Sequence, residues 1–207
     1  MIAYLPDAPA PEGAPRLTEK AAHAQGYPLV LGWHEGRLGL WPPLGKATPL
    51  FVDFQQGALG YRLQRGRAQH ERLVKALGRL PEQSVVVDAT AGLGRDSALL
   101  AAAGYQVLMI EEQAPLQLLL EDALAHCPST LSLRLLKGTA QQWLPTLTPQ
   151  VVYLDPMFPE RRKSAAVKKE LAWLQHIAPI PAVEEEQELL TLARQVATHK
   201  VVVKRPA

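Results

Sequence analysis

The sequence predicts an α/β fold in which a doubly wound, mostly parallel sheet follows a small N-terminal subdomain that contains β-strands. From residue 85 onward, short segments that are apolar throughout alternate with helical patterns, which is typical of a parallel sheet covered by helices on both faces. Residues 1–80 differ, since they combine many prolines and glycines with shorter strand-like runs. A glycine-containing turn directly follows the first apolar segment, where such folds bind their ligands.

The N-terminal region is predicted to contain a hairpin and a short helix. Its strand-like runs lie at residues 29–33, 38–41 and 50–54. Residues 34–37 have the composition of a hairpin loop, and residues 71–77 have helical spacing that ends at Gly78. We expect residues 1–80 to form an extension with a candidate role in substrate recognition, and residues 81–207 to form the ligand-binding domain.

The second domain is predicted to contain five parallel strands separated by helices. The strands are expected at residues 85–87, 106–110, 131–136, 151–154 and 201–203. The helices are expected at residues 95–103, 115–125, 165–177 and 183–198. Because crossovers between parallel strands are right-handed, the carboxyl ends of these strands should meet at one edge and form the ligand site.

The composition is that of an ordinary globular protein. Apolar residues make up 47% and charged residues 20% of the chain, and the formal net charge is +2. A single cysteine excludes an internal disulfide, and no His/Cys group has the spacing of metal ligands. The start of the chain lacks the pattern of a signal peptide, and no apolar run is long enough to span a bilayer. We therefore expect a soluble cytoplasmic protein without a metal.

The turn after the first parallel strand is a candidate nucleotide-type site. It contains Asp88, Ala89, Gly92 and Gly94. The glycines permit a tight turn and a close approach of the backbone to a ligand, and the helix that follows directs its N–H groups toward it. The alternative is a strand–helix turn that binds nothing.

The residues around this turn favour S-adenosylmethionine over a dinucleotide. A dinucleotide motif needs a third glycine, and this chain has Ser97 there. Asp88 and Asp96 flank the turn; their carboxylates would repel a pyrophosphate but suit the ammonium and hydroxyl groups of S-adenosylmethionine. Glu111, at the end of the second strand, is placed to accept hydrogen bonds from ribose hydroxyls, which would fit NAD equally well.

The end of the fourth strand carries candidate catalytic residues. Asp155, Pro156 and Phe158 resemble the Asp/Asn-Pro-Pro-Tyr/Phe motif of methyltransferases that act on planar exocyclic nitrogens. The Asp155 carboxylate and the Pro156 carbonyl would accept the two N–H hydrogens and direct the lone pair at the methyl group. Phe158 would stack on the base. Met157 stands where a second proline is expected, and a loop with a core phenylalanine is the alternative.

A basic cluster near this motif is a candidate RNA-binding surface. Residues 160–170 contain five basic and two acidic side chains. The candidate phosphate contacts are Arg161, Arg162, Lys163, Lys168 and Lys169, together with Lys204 and Arg205 after the fifth strand. Their concentration on a chain of low net charge suggests phosphate contacts at the reaction centre. A solvated helix face is the alternative.

Taken together, these motifs resemble the RsmJ family of small-subunit ribosomal RNA guanine-N2 methyltransferases. The matching stretches lie at residues 51–54, 87–96, 150–159, 163–165, 167–170 and 201–206. The family's own motif also contains the methionine at position 157. The resemblance implies a class I (Rossmann-like) methyltransferase that transfers a methyl group to N2 of one guanosine near the 3′ end of 16S rRNA, as free rRNA or in the small ribosomal subunit.

The resemblance also implies a set of cofactor contacts. These are Arg95, Asp96, Glu111, Glu112, Thr139, Ala140 and Asp155. The family more often has Glu-Arg at positions 111–112 and Ser-Ser at positions 139–140, and residues 1–45 match it poorly. Such proteins usually continue into a final antiparallel hairpin. We therefore expect a further carboxyl-terminal segment after Ala207, which an intact mass of 22.7 kDa would contradict.

Three other functions compete with this interpretation. The Asp-Pro loop would also serve methylation of adenine N6 or of a protein glutamine. A non-catalytic RNA-binding relative would retain the fold, but the intact Asp155–Phe158 motif argues against it. An NAD-dependent oxidoreductase is disfavoured by the acidic loop.

Overall fold

The computed structural model describes residues 1–64, 66–81, 83–156, 165–178 and 180–205, with the backbone alone for residues 165–169. The strands are β1 (Ala3–Tyr4), β2 (Val30–His34), β3 (Arg37–Trp41), β4 (Val85–Asp88), β5 (Gln106–Glu111), β6 (Leu133–Lys137), β7 (Val151–Leu154) and β8 (Lys200–Val203). The α-helices are α1 (Glu19–Ala24), α2 (Gly57–Leu63), α3 (Arg72–Leu77), α4 (Arg95–Ala102), α5 (Ala114–Ala125), α6 (Ala140–Trp143), α7 (Ala165–Gln175) and α8 (Val183–Val196).

Strands β1, β2 and β3 form a small N-terminal sheet. β2 and β3 are antiparallel, and His34 pairs with Arg37. The hairpin turn therefore consists of Glu35 and Gly36, both with positive φ (50° and 78°), as a tight turn that follows the twist of the strands requires. The predicted hairpin is confirmed, and β1 adds to it in parallel.

The strand predicted at residues 50–54 is wrong. In this segment Leu50 alone forms a bridge, with Leu40. The cause lies at Asp53, whose carboxylate accepts hydrogen bonds from the backbone N–H groups of Gln55 (2.7 Å) and Gln56 (3.1 Å). This Asx-type turn directs the chain into α2, so the segment does not continue as a strand paired with β3.

Strands β4 to β8 form an all-parallel sheet in the order β6-β5-β4-β7-β8. The doubly wound prediction is confirmed, and the strand limits differ from those expected by two residues or fewer. The chain moves outward from β4 in one direction and then returns to add β7 and β8 on its other side. β4 and β7 therefore flank the switch point at which such folds bind ligands.

Helices cover both faces of the parallel sheet. Val86 and Tyr153 face a large core that includes α4, α5 and the leucines of the N-terminal sheet. Val87 and Val152 face a second core that includes Ala193 of α8. The N-terminal sheet thus shares one continuous core with one face of the parallel sheet. In the described ranges, every helix is too short or too polar to cross a lipid bilayer.

Arg37 fastens the N-terminal hairpin to α5. Its Nε donates to the Asp122 carboxylate (2.8 Å), and its terminal nitrogens donate to the Val52 carbonyl (2.9 Å) and to Asp53 (3.5 Å). The Asp122 side chain is 5% exposed. A carboxylate this buried needs a charged partner, because water does not solvate it.

Replacing Arg37 with Met should lower the free energy of unfolding by about 3 kcal/mol, since the Asp122 carboxylate loses its charged hydrogen-bond partner. Urea denaturation measures the change. The control is Arg62→Met, which breaks the more exposed pair with Glu71 and should cost about 1 kcal/mol or less. Equal losses in the two variants would contradict the role of Arg37.

Candidate active site

The loop between β4 and α4 combines one packed glycine with one open glycine. Both have positive φ, 56° at Gly92 and 67° at Gly94. A Cβ atom on Gly94 would lie 2.8 Å from Leu120 and 3.1 Å from Phe54, whereas one on Gly92 would meet no atom closer than 3.9 Å. Gly94 therefore closes the packing beneath the loop, and Gly92 leaves room for a ligand at the carboxyl edge of the sheet.

The Asp88 side chain lies beneath the loop and holds it in place by hydrogen bonds. Its buried carboxylate accepts hydrogen bonds from the Ser97 hydroxyl (2.5 Å) and the Thr90 backbone N–H (3.1 Å). Burial raises the pKa of Asp88 to about 7, although these two hydrogen bonds favour the ionised form. The described bonds of this carboxylate lie within the protein, and its predicted contact with a ligand ammonium stays a prediction.

Glu111 supports the same loop from the neighbouring strand. Its carboxylate accepts hydrogen bonds from the backbone N–H groups of Gly92 and Gln113, both at 2.8 Å. Burial raises the pKa of Glu111 to about 7. The structure thus places Glu111 against the open glycine, at the end of the strand where a ribose-binding carboxylate was predicted.

Asp96 and Asp155 meet across the switch point through Lys204. The Lys204 ammonium donates to Asp155 (2.6 Å) and to Asp96 (2.7 Å). Asp96 also accepts a hydrogen bond from the hydroxyl of the buried Tyr153 (2.6 Å). Burial, followed by the nearby Asp96 carboxylate, raises the pKa of Tyr153 well above its usual value, so this residue stays a donor.

The backbone of Asp155 is tied to the glycine loop. Its N–H donates to the Thr90 hydroxyl (2.7 Å), while the Thr90 backbone N–H binds Asp88. Thr90 therefore links the ends of β4 and β7. Pro156 is buried. Phe158, the predicted stacking residue, lies outside the described residues.

The remaining predicted cofactor residues lie at the ends of β4, β5 and β6. Thr139 caps α6 by a reciprocal pair of hydrogen bonds with Gln142, and Ala140 is buried. Arg95 forms an ion pair with Glu170 of α7 (2.8 Å). Glu112 is exposed, and Ala89 is buried beside the loop.

The predicted RNA contacts are only partly described. Lys204 is engaged with the two carboxylates, and Arg205 forms an ion pair with Glu186. Lys168 and Lys169 lie on α7. Arg161, Arg162 and Lys163 lie outside the described residues.

Thr90, Ser97 and Tyr153 are site residues that sequence reasoning missed. Tyr153 is inside an apolar strand and looked like a core residue, while Ser97 was noted only as a missing glycine. The polar side chain of Ser97 just inside a helix that follows an acidic strand end was an available signal. Within the described ranges, His, Cys, Asp and Glu side chains form no cluster suited to a metal ion.

Comparison with known proteins identifies the family. A model of the family described as putative SAM-dependent methyltransferases matches residues 17–207. The chain is 49% identical to the ribosomal RNA small subunit methyltransferase J of Alcanivorax borkumensis, over 95% of this chain and 82% of that protein. The chain belongs to the ribosomal RNA small subunit methyltransferase J family. The corresponding protein of Tolumonas auensis is 41% identical, over 96% of this chain and 83% of the relative.

The methyltransferase fold is also confirmed by a solved structure. A SAM-dependent methyltransferase from Neisseria gonorrhoeae has a TM-score of 0.64 and 28% identity, covering 99% of this chain and 84% of that one. The predicted class I fold and the predicted cofactor, S-adenosylmethionine, are therefore confirmed. The site suits this cofactor, because Gly92 leaves space for it and the carboxylates at the strand ends favour a cation.

The two glycines should respond differently to alanine. Gly94→Ala should lower the free energy of unfolding by about 3 kcal/mol, since the methyl group overlaps Leu120 and Phe54 in a left-handed backbone. Gly92→Ala should lower the free energy of unfolding by only about 1 kcal/mol, because it introduces backbone strain without a steric overlap. This variant should fold but bind S-adenosylmethionine more weakly. Urea denaturation and calorimetry measure both effects. Unchanged cofactor affinity in Gly92→Ala would contradict the open ligand face.

The buried acids should make the protein less stable as pH rises. The pKa of Glu111 is raised from 4.5 to about 7 in the folded state. Between these pH values the folded protein therefore holds a proton that the unfolded chain has lost. Stability from this group is present below pH 4.5 and is lost as pH rises through about 7. The variant Glu111→Gln should therefore show a flatter pH dependence of the unfolding free energy between these values. The exposed neighbour variant, Glu112→Gln, should follow the wild type; identical curves for all three proteins would exclude the burial effect.

Proposed function

We propose that this methyltransferase transfers a methyl group to the exocyclic N2 of one guanosine near the 3′ end of 16S rRNA. The relatives are named as ribosomal RNA small subunit methyltransferases, and the guanine N2 specificity comes from the resemblance to that family. The observation that carries the proposal is the position of Asp155, which stands at the switch point, tied to the glycine loop through Thr90.

Asp155 and Pro156 supply the acceptors that the reaction needs. The lone pair of an amino group conjugated to a base is delocalised, so the amine is a poor nucleophile. A carboxylate and a backbone carbonyl that accept its two hydrogens favour a pyramidal nitrogen and orient the lone pair. S-adenosylmethionine supplies the methyl group on a sulfonium sulfur. As the nitrogen takes the methyl group, the bond from the methyl carbon to sulfur would break and S-adenosylhomocysteine would leave. The Asp155 carboxylate, which already accepts one of the N–H hydrogens, would take the proton that the methylated nitrogen loses and pass it to water.

Lys204 is an ion-pair partner of this acceptor. An ammonium in contact with a carboxylate favours the ionised form, and Lys204 contacts both Asp155 and Asp96. Burial lowers the pKa of Lys204, but the hydrogen bonds to Asp155 and Asp96 outweigh it, and the net shift is upward. The lysine thus stays protonated while it holds the two acids on opposite sides of the switch point.

The cofactor residues are proposed from their positions at three neighbouring strand ends. Asp88 is the last residue of β4 and Glu111 the last residue of β5. Arg95 and Asp96 begin α4 after β4, Glu112 follows β5, and Thr139 and Ala140 follow β6. The backbone N–H of Gly138, just before Thr139, donates to the Glu111 carbonyl (3.0 Å), so the last two ends are in contact. A cofactor that lies across the carboxyl edge of the sheet would contact the ends of β4, β5 and β6. One end of the cofactor would then lie beside Asp155.

The partner proposed is 16S rRNA, free or in the small subunit, in the cytoplasm. The basic residues after Asp155 would contact its phosphates, with Lys168 and Lys169 presented by α7. Residues 1–80 are proposed as the substrate-recognition extension and residues 81–207 as the cofactor-binding domain. Strand β8 brings Arg205 to the same edge of the sheet as Lys204.

Replacing Asp155 with Ala should abolish methylation while the fold persists, because the acceptor that orients the amine is lost. The assay incubates the protein with labelled S-adenosylmethionine and rRNA, or small subunits, from cells that lack the gene. The modified base is then mapped. With the wild-type protein, label should appear on N2 of one guanine.

The control is Asp7→Ala, which removes an exposed carboxylate remote from the site and should retain full activity. Activity of Asp155→Ala within about tenfold of wild type, an effect of roughly 1.4 kcal/mol or less, would be too small for the proposed role. Label on adenine or on protein would refute the guanine N2 assignment.

A further inference from the structure

Tyr61 and Arg67 form an exposed aromatic–cationic pair beside the sheet. The Arg67 guanidinium carbon lies 4.0 Å from the centre of the Tyr61 ring. Tyr61 is nevertheless 55% exposed, so much of its ring remains accessible to solvent. We call these two residues the α2 platform, because Tyr61 lies on α2 and Arg67 lies in the turn that follows.

A bidentate ion pair holds the α2 platform in shape. Arg62, next to Tyr61, donates from Nε and a terminal nitrogen to both carboxylate oxygens of Glu71, each at 2.7 Å. Glu71 immediately precedes α3. The pair links α2 to the start of α3, on either side of Arg67, and this restraint on the backbone reduces the entropy lost when a ligand binds.

The helix that carries Tyr61 packs against α4, whose first turn reaches the candidate active site. Phe54, just before α2, occupies the space that a side chain at position 94 would need. The helix α2 itself packs against α4. The first turn of α4 contains Asp96. The pKa of Arg62 is raised chiefly by its hydrogen bond to Glu71, and the Asp96 carboxylate adds to the effect, which agrees with this proximity.

The chemistry of the pair fits a nucleic acid better than a protein. An exposed aromatic ring binds any base by stacking, and such stacking tolerates different sequences. A guanidinium stacked on that ring adds a cation–π contribution and a partner for phosphate. The adjoining surface carries further exposed basic side chains, at His70 and Arg72.

We propose that the α2 platform binds a nucleotide that flanks the target guanosine in single-stranded RNA. This inference rests on the proposed function, since it supplies that site with a contact to its RNA substrate. The target base itself must reach Asp155, so the α2 platform would hold a neighbouring base by stacking on Tyr61 and the backbone by Arg67. It gives residues 1–80 a specific part in substrate recognition.

The test measures binding of a fluorescein-labelled, single-stranded oligoribonucleotide of mixed sequence by fluorescence anisotropy. Tyr61→Leu should raise the Kd roughly tenfold, as expected for loss of one stacked base, while Tyr61→Phe keeps the ring and should stay close to wild type. Arg67→Met should raise the Kd and reduce its salt dependence. The matched control is Arg134→Met, on the edge strand β6, which should change neither. Circular dichroism verifies that each variant is folded.

An rRNA methylation assay distinguishes failure of this inference from failure of the proposed function on which it rests. Tyr61→Leu should raise KM for RNA and leave kcat unchanged at saturation, whereas Asp155→Ala should bind the oligoribonucleotide normally without turnover. If Tyr61→Leu and Tyr61→Phe bind RNA equally well, the α2 platform is overturned while the proposed function stands. If the wild-type protein methylates no RNA, the proposed function fails, and loss of binding in Tyr61→Leu would still support the α2 platform.

Discussion

The burial and close approach of four carboxylates is the constraint around which the carboxyl edge of the sheet is built. Asp88 and Glu111 end β4 and β5, Asp96 lies in the first turn of α4, and Asp155 follows β7. Burial is the main cause of the raised pKa of Asp88, and the acids at positions 96 and 155 add to it. Each carboxylate is compensated locally. Backbone N–H groups and a hydroxyl satisfy Asp88 and Glu111, and one ammonium satisfies the other two. The hydrogen bonds of the glycine loop and the position of Lys204 both serve to compensate these carboxylates.

The same constraint explains the choice of cofactor. Pyrophosphate would add negative charge beside Asp88, Asp96, Glu111 and Asp155, at a Coulombic cost that burial increases. A sulfonium group and an ammonium group reduce the repulsion. Discrimination between nucleotide-type ligands therefore comes from charge, while the glycines supply the space that either ligand would need.

The sequence predicted the parallel sheet well, because each strand is mostly apolar and is bounded by glycines or polar residues. It failed at residues 50–54, where the Asp53 side chain competes with strand pairing, and composition does not reveal that competition. Lys204 was predicted as a phosphate contact from its charge and its place after the fifth strand, and that contact stays a prediction. Its actual partners are 49 and 108 residues away in sequence, and only the folded topology brings them together. Tyr153 was missed for the same reason.

The ion cluster also has a consequence for how the chain folds during its synthesis. Asp96 and Asp155 leave the ribosome well before Lys204, which comes from β8. Because N-terminal segments begin to fold first, the nascent β4–β7 core carries two acids whose counter-ion has not yet been made. The contacts that join Asp96 to Asp155 through Lys204 are therefore completed only when β8 docks against β7.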